Sequence, residues 1–218
     1  MTTHLDDAPG ALTGTWTVDP VASQITIAVR YALVGTIRAR FTDLEGALFL
    51  HPDIGRCSAM LVVHAASVRT GPPVQDQWLR SAAFLDTDTY PYIWFQSTEV
   101  TPHPSGRGDQ ALVTGELAIR DVARPVQCAV HLRSPSVDSG SARAKVTGQV
   151  RLSRAEFGLG TGHDIRGGGV LLGDQLTVDL DIRAVRQLAA RKALTNPATT
   201  TTNPAASPTN HNPHGDGS

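Results

Sequence analysis

Aromatic side chains are scarce: Phe, Tyr and Trp make up only 5% of the 218 residues. That supply is too thin for the stacking platforms that hold single-stranded nucleic acid. Net positive charge is also missing. Nineteen Lys and Arg stand against twenty Asp and Glu, for a formal net charge of −1, a balance that favours neither nucleic acid nor an anionic membrane surface. Long hydrophobic runs are absent, since nothing approaches the ~18 apolar residues a membrane span requires. The opening MTTHLDDAPGALTG has no basic stretch followed by an apolar one, so it does not read as an export signal. The two cysteines, Cys57 and Cys128, are too few for a disulfide framework and lack metal-site spacing. These absences lead to the expectation of a cytoplasmic protein with reduced thiols, no stable membrane insertion and no nucleic-acid partner. The sequence leaves a homodimer open.

Catalytic signals are equally thin. The histidines His4, His51, His64, His103, His131, His163, His211 and His214 form no H-x-H or H-E-x-x-H pattern. No metal and no cofactor is expected. His163 and Asp164, in the glycine-rich stretch GLGTGHDIRGGG, are the best acid–base pair, but no Ser or Cys nucleophile motif accompanies them. The same stretch lacks the Lys and following helix of a phosphate-binding loop. The expectation is a protein that is not an enzyme.

What the chain does have is alternation. Ile25, Ile27, Val29 and Tyr31 share one face of a strand, with Thr26, Ala28 and Arg30 opposite. Residues 36–50 read as a long bent strand or hairpin with Gly46 as its kink. Ala59, Leu61, Val63 and Ala65 alternate next, followed by Ile93, Phe95 and Ser97, then Val113, Gly115, Leu117 and Ile119. After a turn over 121–125 come Val126, Cys128, Val130 and Leu132. Val146, Gly148, Val150 and Leu152 follow, and Leu176, Val178, Leu180 and Ile182 close the series. Eight amphipathic strands without crossover helices indicate an all-β antiparallel barrel or sandwich. Only residues 73–84 and 187–194 look helical. Beyond Leu194, NPATTTTNPAASPTNHNPHGDGS is rich in Thr, Pro and Asn and should be a disordered tail. The division expected is a flexible start over 1–13, a barrel over 14–188 and a tail over 189–218.

The inward series is mostly Ile, Val, Leu, Ala and Gly, with Phe95 and Tyr31 the large members. Small apolar residues facing inward leave room, and an eight-stranded barrel can hold one small ligand. A barrel packed solid, interacting through an outer face with Trp94 and Tyr92, is the competing reading, and a small enzyme using His163 and Asp164 is the third.

Read in order, GTWTVDPVASQITIAVRY, VGTIRARFTDLEG, AASVRTG, QDQWLRSAAFLD, YPYIWFQST, VTGELAIRDVARPV, LSRAEFGLG and GGGVLLGDQLTVDLDIRAVR resemble the YceI-like family of lipocalin-like barrels. The likeness runs from Gly14 to about Arg186. It implies an eight-stranded antiparallel barrel with a short entrance helix, whose cavity holds a long-chain lipid such as a polyisoprenoid, quinone or fatty amide. The residues expected to meet that lipid are Ile25, Ile27, Val29, Tyr31, Leu61, Val63, Trp78, Leu79, Phe84, Phe95, Leu117, Val130, Val150 and Leu180. The family pattern matches Asp19, Ser23, Thr70, Gly71, Asp76, Leu79, Arg80, Ser81, Phe84, Asp86, Arg154, Phe157, Gly158, Gly173 and Asp174. It departs at Ala22, Tyr31 and Trp78, where the family usually carries histidines, at Gln75, where it carries an arginine, and at Ala83, where it carries an acid; Gln77 fills the variable position of that helix motif. The resemblance therefore implies tail binding here, without those headgroup contacts.

Overall fold

The computed structural model describes residues 13–31, 35–138, 141–160 and 172–187. Most of the expected flexible start, the helix expected beyond Gln187, the tail, and His163 with Asp164 lie outside them. Eleven strands are present: β1 (Gly14–Val18), β2 (Gln24–Tyr31), β3 (Gly35–Phe41), β4 (Leu44–Leu50), β5 (Ser58–His64), β6 (Val68–Arg69), β7 (Tyr92–Pro102), β8 (Gln110–Ile119), β9 (Val122–Asp138), β10 (Ser141–Ser153) and β11 (Leu172–Gln187). One helix, α1 (Pro73–Arg80), stands between β6 and β7.

These strands make eight staves, because the first three staves are each broken once. β1 and β2 lie end to end along one edge of β11, which pairs Val185 with Thr17 and Leu180 with Ile25. β3 runs into β4 through Thr42 and Asp43, and β5 runs into β6 through a single 3-10 turn at Ala65–Ser67. The ring β1-β4-β5-β7-β8-β9-β10-β11 closes through the β1–β11 pairing, and β2-β3-β6 continues from the same β11 edge. All pairings are antiparallel. The protein is a closed eight-stave barrel, one of the two architectures that the alternation leaves open and the one that the family resemblance implies.

Local chemistry explains the breaks. Between β1 and β2 the Asp19 carboxylate accepts from the amides of Val21 and Ala22, a turn that Asp supports with its own side chain. Ser23 then donates its hydroxyl to the Arg183 carbonyl and accepts from the Arg183 amide, stapling the bend onto β11. Ser67 serves the second and third breaks together, accepting from the Thr42 amide while its carbonyl takes the Thr42 hydroxyl.

Four local expectations are corrected. The kink expected at Gly46 falls instead at Thr42–Asp43, and Gly46 pairs in unbroken register with Leu61. A Cβ at Gly46 would overlap the Met60 carbonyl oxygen, so glycine serves close strand approach there. The turn expected over 121–125 is the tighter pair Arg120–Asp121, because Ile119 already pairs with Val122; Arg120 adopts φ +58° to close it. The helix expected over 73–84 ends at Arg80, where Ser81 turns to extended backbone and its hydroxyl bonds the Trp78 carbonyl. Gln187, expected to start a second helix, belongs to β11.

Two apolar plugs fill the barrel ends. At one end Trp16, fully buried, packs with Leu48, Ala142, Ala144 and Ala184; the three alanines are what leave room for an indole. At the other, Leu79, Phe84, Leu85, Phe157 and Leu159 are all buried within the larger core cluster.

Candidate functional site

Between the plugs lies a cavity of about 160 Å³, and every side chain lining it is apolar. The lining follows from period-2 geometry: with one residue in two facing inward, the apolar half of each stave supplies the wall. Of the residues expected to meet a ligand, Ile25, Ile27, Leu61, Val63 and Phe95 line this cavity on the β2, β5 and β7 side. Leu117, Val130, Val150 and Leu180 complete it on β8 to β11.

Five of the expected residues sit elsewhere. Val29 is buried in the core cluster without lining the cavity. Leu79 and Phe84 are buried in the plug, and Trp78 packs half-buried beside them, its ring 5.0 Å from that of Phe84. Tyr31 ends β2, its backbone paired with Leu172 and Gly35. The structure adds cavity residues not expected, among them Phe41, Leu48, Ile93, Val113, Cys128, Val146 and Ile182. Most continue an alternation visible in the sequence. Phe41 and Leu48 were hidden because the bend between β3 and β4 obscures which face each residue takes.

Cys128 is the one cavity residue with a titratable group. It is 7% exposed, and burial pushes its thiol up to about 11. The thiolate is disfavoured in so apolar a place, so Cys128 acts as a small hydrophobe rather than a nucleophile. Cys57, beside His51 near the start of β5, is likewise free.

The plug beneath α1 is held by polar groups. The Asp76 carboxylate accepts from the Thr70 amide at 2.6 Å and the Thr70 hydroxyl at 2.7 Å. Those bonds first, then the nearby Arg80 and Arg69, hold its pKa below the ordinary carboxylate range. Arg80 also donates to the Val68 carbonyl. Arg154 plays the matching part opposite. Its guanidinium donates to the carbonyls of Leu159, Gly160, Leu172 and Gly173 at 2.7, 2.7, 3.3 and 3.0 Å. One planar fork thus joins the chain on both sides of the segment 161–171, and Phe157 and Leu159 are seated in the core beside it.

Arg30, Arg38 and Arg80 do not converge on the cavity. Arg30 and Arg38 are exposed on the outer faces of β2 and β3, and Arg80 is engaged by Asp76 and Val68. Among the described residues no group of three His, Cys, Asp or Glu is placed to hold a metal ion, and no helix is long and apolar enough to cross a membrane.

A closed antiparallel barrel with an apolar internal cavity and a capping helix is the class of protein these features define. The YceI-like domain family model matches residues 16–184, and the chain belongs to that family. A UPF0312 protein of Pseudomonas aeruginosa is 31% identical over 122 residues, covering 55% of this chain and 62% of that protein. A UPF0312 protein of Vibrio campbellii is 27% identical over 152 residues, covering 68% and 79%. Among solved structures, BcnA of Burkholderia cenocepacia superposes with a TM-score of 0.65 at 20% identity, covering 77% of this chain and 99% of that one. A polyisoprenoid binding domain from Saccharophagus degradans, described as implicated in plant cell wall breakdown, gives 0.59 at 19% identity, covering 78% and 97%.

Proposed function

We propose that the barrel binds the tail of a long-chain apolar lipid, of the polyisoprenoid, quinone or fatty-amide class, and serves as its carrier or sequestering protein. The observation that carries this reading is the wholly apolar cavity held between two plugs. Membership in the YceI-like family supports it, as does the likeness to a polyisoprenoid binding domain.

Size limits the form that binding takes. A dry cavity of about 150 Å³ accepts a benzene ring, so 160 Å³ accommodates only a short piece of a long tail. The rest requires a plug to give way. The plug under α1 is the better candidate, because among the described residues β6 pairs only with β3 and no ladder joins it to β7. The wall there is filled by α1 and the turns that follow it, so opening costs side-chain packing and few strand hydrogen bonds. With no charged group on the cavity wall, the ligand expected is neutral at its head.

Organic-solvent extraction of the natively purified protein, followed by mass spectrometry, tests the reading. The expected result is a long-chain neutral lipid at near-stoichiometric yield. Protein that yields no lipid, and whose unfolding temperature is unmoved by added polyprenol or quinone, would overturn it.

A further inference from the structure

A net charge of −1 conceals an uneven distribution. Strand register brings arginines from four strands onto one outer face: Arg30 on β2, Arg38 and Arg40 on β3, Arg69 on β6 and Arg151 on β10, all exposed. Arg40 stands directly across from Arg69. Like charges opposite one another in a ladder are destabilising, a cost offset only in part where the Arg69 guanidinium donates to the carbonyls of Ala66 and Val68 and lies near Asp76. Among the described residues no carboxylate lies within salt-bridge distance of any of the five. The nearby acids are committed elsewhere: Asp76 to Thr70 and Arg80, Asp179 to Gln149, and Asp181 to Lys145 and Arg183.

The residues between the arginines are small. Thr26, Ala39, Thr70 and Gly71 help leave a shallow groove of about 500 Å³ beside the start of α1, lined also by Gln24, by Arg38, Arg40 and Arg69, and by a single carboxylate, Asp76, that is already bonded to Thr70. On that first helical turn, Val74 is 79% exposed. A bare aliphatic side chain beside a row of cations is the arrangement by which proteins settle on an anionic bilayer: charge draws them in and the apolar group enters the headgroup boundary. A free phosphate has no use for Val74.

We propose that the β2-β3-β6 face and the first turn of α1 form a docking surface for an anionic lipid membrane. Docking there lays the seam between β6 and β7, which α1 fills, against the bilayer. The surface itself stands independently of the cargo reading; only the purpose of that orientation rests on it.

The test uses the full chain after solvent extraction and refolding, sedimented with vesicles of phosphatidylcholine alone or with about one-third phosphatidylglycerol. Binding is expected only to the anionic vesicles, with loss at high salt. Replacing Arg38 and Arg40 together by Gln should weaken it roughly 25-fold, about fivefold for each charge. Val74→Asp should weaken it as well, whereas Arg133→Gln with Arg143→Gln, on β9 and at the opposite end of β10 from Arg151, should not. Equal binding to both vesicle types, or equal loss from the two double variants, would overturn the proposal. Full competition by millimolar inorganic phosphate would overturn it too, in favour of a small-anion site. Lipid recovery on extraction is scored separately, so failure of docking with cargo still recovered refutes the docking surface alone, and the converse refutes the cargo reading alone.

Discussion

Filling the cavity should separate stability from ligand binding. Cys128 is the residue to change, because it points into the void from mid-β9 and stands beside Gly148, where a Cβ would lie 3.0 Å from the Cys128 sulfur. Cys128→Phe places a phenyl ring where the cavity has room for about one. At roughly 24 cal/mol per Å³ of void, a cavity of about 160 Å³ corresponds to about 4 kcal/mol of forgone packing. Overpacking strain typically takes back about 1–3 kcal/mol. The variant should therefore be about 1–3 kcal/mol more stable than the parent, read from chemical denaturation. Its yield of extractable lipid should fall at least about tenfold, equivalent to ~1.4 kcal/mol. Cys128→Val, which keeps the volume, should match the parent in both measurements. A stable Cys128→Phe protein that still carries its full complement of lipid would refute the cavity as the tail site. A loss of more than about 3 kcal/mol would show that the ring finds no such space.

Three further outcomes follow from the described groups. The Cys128 thiol is held neutral, with its pKa raised by burial from 9.0 to about 11, so its contribution is complete below pH 9 and is lost as pH rises through 11; the parent should lose about 2–3 kcal/mol more than Cys128→Val over that range, and equal losses in urea titrations would contradict the assignment. Asp76 has a lowered pKa, chiefly through Thr70, so its contribution is present above its ordinary value and is lost as pH falls through the depressed one; Trp78 fluorescence should change below about pH 4, and Asp76→Asn should remove that step at the cost of a weaker fold at neutral pH. Arg154→Lys should destabilise by about 2–4 kcal/mol, because an ammonium cannot meet four carbonyls at once; a shift in denaturation midpoint no larger than that of an exposed Arg133→Lys control would argue against the fork.

The staves were legible because burial on one side only leaves its mark on every second residue, though closure into a barrel rather than a sandwich came from the family resemblance. Val146, Val150 and Leu152, or Leu176, Val178, Leu180 and Ile182, can face inward in only one phase. The plugs were less legible. Trp16 sits in a five-residue strand whose partners are β4 and β11, and a strand that short carries too little alternation to stand out. Phe157 and Leu159 lie in a stretch with no strand alternation, yet both are core residues. Residues 81–84 continue a helix-like pattern, and only the Ser81 hydroxyl turning back on Trp78 reveals the stop. The volume left between the plugs is a tertiary quantity: it depends on how far Trp16 and Phe84 reach inward, which no spacing in the chain records. The arginine face is intermediate. Alternation places Arg38 and Arg40 outward, but their meeting with Arg69 needs the β3–β6 register.

Arg154 also has a bearing on tolerance to insertion. The carbonyls it gathers belong to Leu159 and Gly160 on one side and Leu172 and Gly173 on the other, so the ends of the intervening segment are clamped by a residue outside it. The entropy of closing a loop grows only slowly with its length, by about 0.6 kcal/mol for each doubling. With Gly160 and Leu172 held by the same guanidinium, lengthening the chain between them should cost little in loop closure. A peptide inserted between Gly160 and Leu172 should leave the eight staves assembling as before.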